Sequence, residues 1–168
     1  MIYRNTKTGY EELRWVAKAR GERNARFRMD LIMVSNGWAM ASDGHRVHAA
    51  ETTLIDGDYE VVKNTARELH LVPVAGATMA PIERCLAPRV AEGLFLHYEP
   101  NVAAATIIRA IHKSGTLNTG HMADVLGAGS RWYVWIDRQR EVNEMGPVYF
   151  ETADHKLKAA IMPMSMEG

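Results

Sequence analysis

Ser42-Asp43-Gly44 sets turn chemistry in the middle of an apolar strand pattern. Aspartate bonds to backbone amides ahead of it, and glycine takes positive φ freely, so the chain must turn there. Six residues earlier, Asn36-Gly37 is the strongest short hairpin signal a sequence carries. Between and beyond the two turns, Trp38 to Met40 and Val47 to Ala50 read as strands. The pattern commits this part of the chain to antiparallel hairpins, and it projects His45 and Arg46 from a fixed backbone.

The flanking segments extend that reading. Phe27, Met29, Leu31 and Met33 alternate with Arg28 and Asp30, which is strand spacing. Residues 59–63 and 68–74 read as further strands of a meander. Upstream, Thr8-Gly9-Tyr10-Glu11 has the form of a capping box. Tyr10, Leu13, Val16 and Ala17 then recur at helical spacing, and Gly21 is placed to end the helix. A first helix is expected over about 9–20.

The second half repeats the arrangement without repeating the sequence. Asn118 is a good N-cap, and Leu117 and Met122 have the spacing of a hydrophobic staple, so a short helix is expected over about 119–126. Trp132, Val134 and Ile136, then Val148 and Phe150, then Leu157, Ala159 and Ile161 read as three strands. Between the halves, about 76–115 is an irregular or inserted middle broken by glycines and prolines. Residues 81–86 there suit one turn around Cys85, residues 94–98 a strand, and residues 102–113 either a helix or a buried strand. The expected architecture is a single α+β domain over residues 1–168, with two helices packed on antiparallel sheets and an internal helix-plus-strands duplication.

Composition narrows the function classes. The chain has 168 residues, is 47% hydrophobic and 24% charged, and has a formal net charge of zero. That balance opposes nonspecific wrapping of nucleic acid by the whole surface, yet leaves room for a local basic face. Arg14, Lys18, Arg20, Arg23, Arg26 and Arg28 cluster against Glu22 alone. One cysteine forbids an internal disulfide, and a cytoplasmic location is expected. No apolar run approaches the ~20 residues of a membrane helix. No histidine or cysteine spacing suits zinc, no glycine loop cradles phosphate, and no serine sits in a nucleophile elbow. Neither a cofactor nor a metal is expected, and the chain does not read as an enzyme. Asp43 and His45 would be the pair for a small α+β enzyme if it were one. Cys85 beside Arg84 is more in keeping with a packed thiol.

Ala41-Ser42-Asp43-Gly44-His45-Arg46-Val47 resembles the Asp-Gly-His-Arg-Leu signature of bacterial DNA polymerase III beta sliding clamps. Ile161-Met162-Pro163-Met164 resembles the Met-Pro-Met ending of the same proteins. The resemblance implies a DNA-clamp-like domain from a processivity factor of DNA replication, found as a homo-oligomer around duplex DNA. It implies a peptide pocket lined by Gly44, His45, Arg46 and Val47 with Ile161, Met162, Pro163 and Met164. Such a pocket takes short apolar motifs of polymerases and other clamp-binding proteins. It also implies sequence-independent phosphate contacts from Arg14, Lys18, Arg20 and Arg23. An alternative is a clamp-like interaction module that binds peptides or a clamp partner without a ring.

Departures from the family are visible in the sequence. Ser42 and Val47 stand where the family has Thr and Leu. Ser165-Met166-Glu167-Gly168 replaces a basic-apolar ending, and the second helix has no Lys or Arg. Clamp chains have three domains and draw the two pocket motifs from neighbouring ones, whereas this chain has the length of about one.

Overall fold

A computed structural model describes residues 1–23, 26–77, 81–86, 94–98, 117–128, 131–136 and 147–164. The chain divides into two compact units, Met1–Glu83 and Arg84–Gly168. Among the described residues each unit has one α-helix and an antiparallel set of strands, so the expected helix-plus-strands duplication falls on the two units. The anticipated element at 102–113 lies outside the described residues, as does the connection at 138–146.

The first unit contains β1 (Ile2–Arg4), α1 (Tyr10–Ala17), β2 (Leu31–Ser35), β3 (Trp38–Ser42), β4 (Arg46–Glu51), β5 (Gly57–Asn64) and β6 (Glu68–Val74). Its strands lie in the order β1-β6-β5-β2-β3-β4. Asn36 and Gly37 both take positive φ, 51° and 78°, which is the backbone a two-residue hairpin needs. They close β2 on β3 at the Ser35–Trp38 pair. The second turn signal closes β3 on β4 at Ser42–Val47.

Helix α1 lies against β3, β4 and β6. Tyr10, Leu13, Val16 and Ala17, the expected stripe, are all buried, and Trp15 joins them at 4% exposure. The face beneath is built from three alanines and one histidine: Ala39 pairs with Ala50, and Ala41 with His48. These four are fully buried. The small side chains leave room for the Trp15 ring, which stacks on His48 at 4.2 Å between centroids and 15° between planes.

Two boundaries differ from expectation. The helix does not begin with a capping box: Gly9 is its N-cap, at φ 84°, and no side chain caps it. The left-handed glycine turns the chain into the helix, and the acidic Glu11 and Glu12 of the first turn complement the dipole instead. The helix also stops at Ala17 rather than near residue 20, so Gly21 is not its C-cap. Phe27 and Met29 precede β2, which starts at Leu31; the buried residues of that strand are Leu31, Ile32 and Val34. The alternation counted from Phe27 therefore ran through a turn; of its members Leu31 is buried in the strand as expected, and Ile32 and Val34 of the other phase are buried too.

The second unit contains β7 (Leu94–Tyr98), α2 (Thr119–Leu126), β8 (Trp132–Ile136), β9 (Val148–Thr152) and β10 (Leu157–Ile161). Its order is β10-β9-β8-β7. Asn118 caps α2 as expected: its Oδ1 accepts from the amides of Gly120 at 2.9 Å and His121 at 3.2 Å. Leu117 and Met122 are both buried, in keeping with the staple spacing. Trp132, Val134, Phe150, Ala159 and Ile161 form the core, with Trp132 edge-on to Phe150. The β9–β10 turn is tied by Thr152, whose hydroxyl donates to Asp154 Oδ1 at 2.7 Å and accepts from the Leu157 amide at 3.0 Å. Where the chain passes from the first unit to the second, Ile82–Cys85 forms a 3-10 turn, as residues 81–86 suggested, but the Cys85 thiol is exposed rather than packed.

Candidate peptide-contact segments and basic face

The Asp43-Gly44-His45 turn is held almost entirely by its own residues. Ser42 Oγ donates to the Arg46 carbonyl at 2.8 Å and accepts from the Gly44 amide at 3.1 Å. Asp43 Oδ1 accepts from the amides of His45 and Arg46 at 2.9 and 3.0 Å. Gly44 sits at φ 92°, a conformation that penalises any side chain. These contacts leave Gly44 and His45 exposed at the tip and Val47 buried beneath it.

Arg46 does not extend into solvent. Its Nε donates to Asp43 Oδ2 at 3.0 Å, its Nη2 donates to the Lys18 carbonyl at 2.6 Å, and its side chain is 11% exposed. The target carbonyl lies just past the last turn of α1, where helix carbonyls lack partners within the helix. Two more side chains serve that end. His48 Nδ1 lies 2.9 Å from the Trp15 carbonyl, which can only accept, so the proton is on Nδ1. Arg20 Nε donates to the Ala17 carbonyl at 3.1 Å. The Asp-Gly-His-Arg stretch is thus both an exposed tip and the anchor of a helix terminus.

The enzyme pairing of Asp43 with His45 has little geometric support. The Asp43 carboxylate faces two amides and a guanidinium, while His45 stands in solvent. Among the described residues no group of three or more His, Cys, Asp or Glu is arranged to hold a metal ion. Among them, too, no helix is long and apolar enough to cross a membrane.

The other peptide candidates, on β10 and just after it, belong to the second unit. Ile161 is a core residue at 0% exposure, whereas Met162 and Met164 are 42% and 46% exposed, with Pro163 between them. Proline has no amide to donate, so this tail offers flexible apolar side chains on a backbone poor in donors.

The four basic candidates separate into two kinds. Lys18 and Arg23 are exposed, and Arg14 is about one-third exposed, 3.8 Å from the more exposed Glu11. Arg20 is instead turned inward: besides the Ala17 carbonyl, its Nη1 donates to the Asp30 carbonyl at 3.1 Å. Burial lowers its pKa, opposed by the charge of Asp30. Asp30 is itself held below the ordinary aspartate range by a two-point hydrogen bond from Arg28, at 2.9 and 2.8 Å.

Two participants escaped the sequence reading. Gly21 donates to the carbonyls of Met29 at 3.0 Å and Ser42 at 3.2 Å. A Cβ on it would come within 2.9 Å of Asp43 Cα. Its near-absence of bulk serves a close approach between backbones, for which no local pattern exists. His48 is the other; its spacing of two from Arg46 along one strand was the available signal that both reach the same helix end.

Neither a protein-family model nor a curated protein matches the sequence. The fold does have solved counterparts. The chain is similar to a DNA polymerase sliding clamp from Pseudomonas aeruginosa, at 13% identity and TM-score 0.61, over 99% of this chain and 66% of that one. It is similar to the DNA polymerase III beta subunit of Thermotoga maritima, at 10% identity and TM-score 0.63, over 99% and 65%. The beta chain from Streptococcus pneumoniae gives 12% and 0.61, over 99% and 64%. The chain spans just under two thirds of the length of these clamps. At such identities the likeness establishes the fold, which is that of the DNA polymerase III beta sliding clamps.

Proposed function

We propose that this chain is a sliding-clamp-like tether, non-enzymatic and cytoplasmic, that holds short apolar peptide motifs of replication or repair proteins next to duplex DNA. The observation that carries the reading is the clamp fold over 99% of the chain. Two features agree with it. The Gly44–His45 tip is hydrogen-bonded by Ser42 and Asp43, exposed and glycine-dependent, and Met162 and Met164 offer adaptable apolar contact in a donor-poor tail. Lys18, Arg23 and Arg14 are the residues assigned to phosphate, because a sliding protein needs charge without base readout. Arg20 would assist from behind by fixing the chain that carries them.

A second reading is favoured by the helix charges. Helix α2 has no Lys or Arg, and Arg20 is engaged internally. An interaction module that binds peptides or a clamp partner without encircling DNA needs no more charge than this.

Light scattering behind a sizing column, with retention on closed-circular against linearised duplex, separates the two. A closed homo-oligomer that stays on circles and leaves linear DNA supports the tether. A monomer or dimer that is not retained on circles overturns the ring and leaves the module.

A further inference from the structure

The peptide reading would put Arg46 in the wall of a binding pocket, yet its guanidinium is directed at the protein's own backbone. We propose that Arg46 is a positioning residue: it latches the exposed Gly44–His45 tip to the end of α1, so that the tip and Lys18 are presented as one rigid piece. The inference rests on the reading that the tip receives an apolar peptide and Lys18 a phosphate. It assigns their mutual dependence to a residue that touches neither ligand.

The fastening is threefold, and all of it lies in the first unit. Arg46 Nη2 holds the carbonyl of Lys18 itself, at 2.6 Å, while Nε holds Asp43 Oδ2 at 3.0 Å. Asp43 in turn fixes the amides of His45 and Arg46, so the same carboxylate shapes the tip and orients the guanidinium. From the far side, Gly21 donates to the Ser42 carbonyl and packs where a Cβ would meet Asp43 Cα at 2.9 Å. Three residues beyond Lys18, Gly21 therefore rests on the base of the tip. A planar guanidinium can bridge a carboxylate and a carbonyl in fixed directions; an ammonium on a flexible stem cannot hold both with the same geometry. The helix dipole adds to the preference for a cation at this end.

The latch predicts that a change at Arg46 or Gly21 reaches both faces. Three variants decide it: Arg46→Lys, which keeps the charge; Gly21→Ala, which adds only a methyl group behind the tip; and His45→Ala, which alters the exposed tip alone. Each is measured by amide hydrogen exchange at Gly21, His45 and Arg46, by titration with a labelled leucine-rich apolar peptide, and by titration with a short duplex.

Arg46→Lys and Gly21→Ala should speed exchange at the three amides by roughly tenfold and weaken both peptide and duplex several-fold. His45→Ala should weaken peptide alone and leave exchange at Gly21 unchanged. Weaker peptide binding in Arg46→Lys with unchanged exchange and unchanged duplex affinity would overturn the latch, since Arg46 would then be a direct contact. If the parent chain binds neither probe, the functional reading fails by itself. The exchange data still decide the latch: acceleration supports it, and no acceleration overturns it.

Discussion

Arg46 of β4 donates to the carbonyl of Lys18, 28 residues earlier, at 2.6 Å, and pairs with Asp43 at 3.0 Å across its own turn. The contact joins the base of a hairpin tip to the end of a helix. The neighbour in the tip, His45, has the opposite character and stands in solvent. Two adjacent residues of one short motif are thus assigned to different work, one to structure and one to contact.

Stability should separate them. Arg46→Ala removes charge-assisted hydrogen bonds at a side chain only 11% exposed, and should cost about 2 kcal/mol. His45→Ala should stay within about 0.5 kcal/mol of the parent. Urea unfolding of both variants checks this, and equal losses would remove the distinction.

The two helix starts offer a paired test. Asn118→Ala deletes two amide contacts at the start of α2, and should cost about 1 kcal/mol. Thr8→Ala should cost close to nothing, because the start of α1 is set by the left-handed Gly9. Circular dichroism during thermal unfolding reads both, and a large loss in Thr8→Ala would restore the capping box.

That pair also shows what the sequence disclosed. The Asn118 cap, the Asn36-Gly37 hairpin and the buried faces of β8, β9 and β10 were legible because each depends on residues within a few positions of one another. The start of α1 was misread because Thr8 and Glu11 fit a local pattern, while a left-handed Gly9 fits the chain's path. The onset of β2 was misread because Phe27 and Met29 continued an alternation through a turn. At the candidate site, the turn chemistry of Ser42 to Gly44 was visible, and so was the exposure of His45. The destinations of Arg46, Arg20 and Gly21 were not. Each is fixed by a partner brought near only by folding: the Lys18 carbonyl, the Asp30 carbonyl and the Asp43 backbone.

Acid should weaken the fold in a defined direction. The carboxyl of Asp30 is held down mainly by the Arg28 hydrogen bond, that of Glu68 by Lys63 and then His70, and that of Asp154 by the Thr152 hydroxyl. For each, the folded state holds the charged form more strongly than the unfolded chain does. The stability they contribute is complete above the ordinary carboxylate range and is lost as pH falls through their depressed values. Asp58 runs the other way, because burial raises it; its ionisation costs stability as pH rises. Urea midpoints should therefore fall between about pH 5 and pH 3, with a shallower fall in Asp30→Asn. A flat profile in the parent chain would contradict the assignment.

Peptide capture by the methionine tail is the claim on which the functional account turns. Met162 and Met164 are about half exposed, so covering what remains of each is worth about 1 kcal/mol, and losing both, about 2 kcal/mol, should weaken binding roughly thirtyfold. Fluorescence anisotropy with a labelled leucine-rich apolar peptide measures it directly. Saturable binding is expected of the parent chain, and roughly thirtyfold weaker binding when Met162→Ser and Met164→Ser are combined. No saturable binding, or binding untouched by the double change, would contradict it.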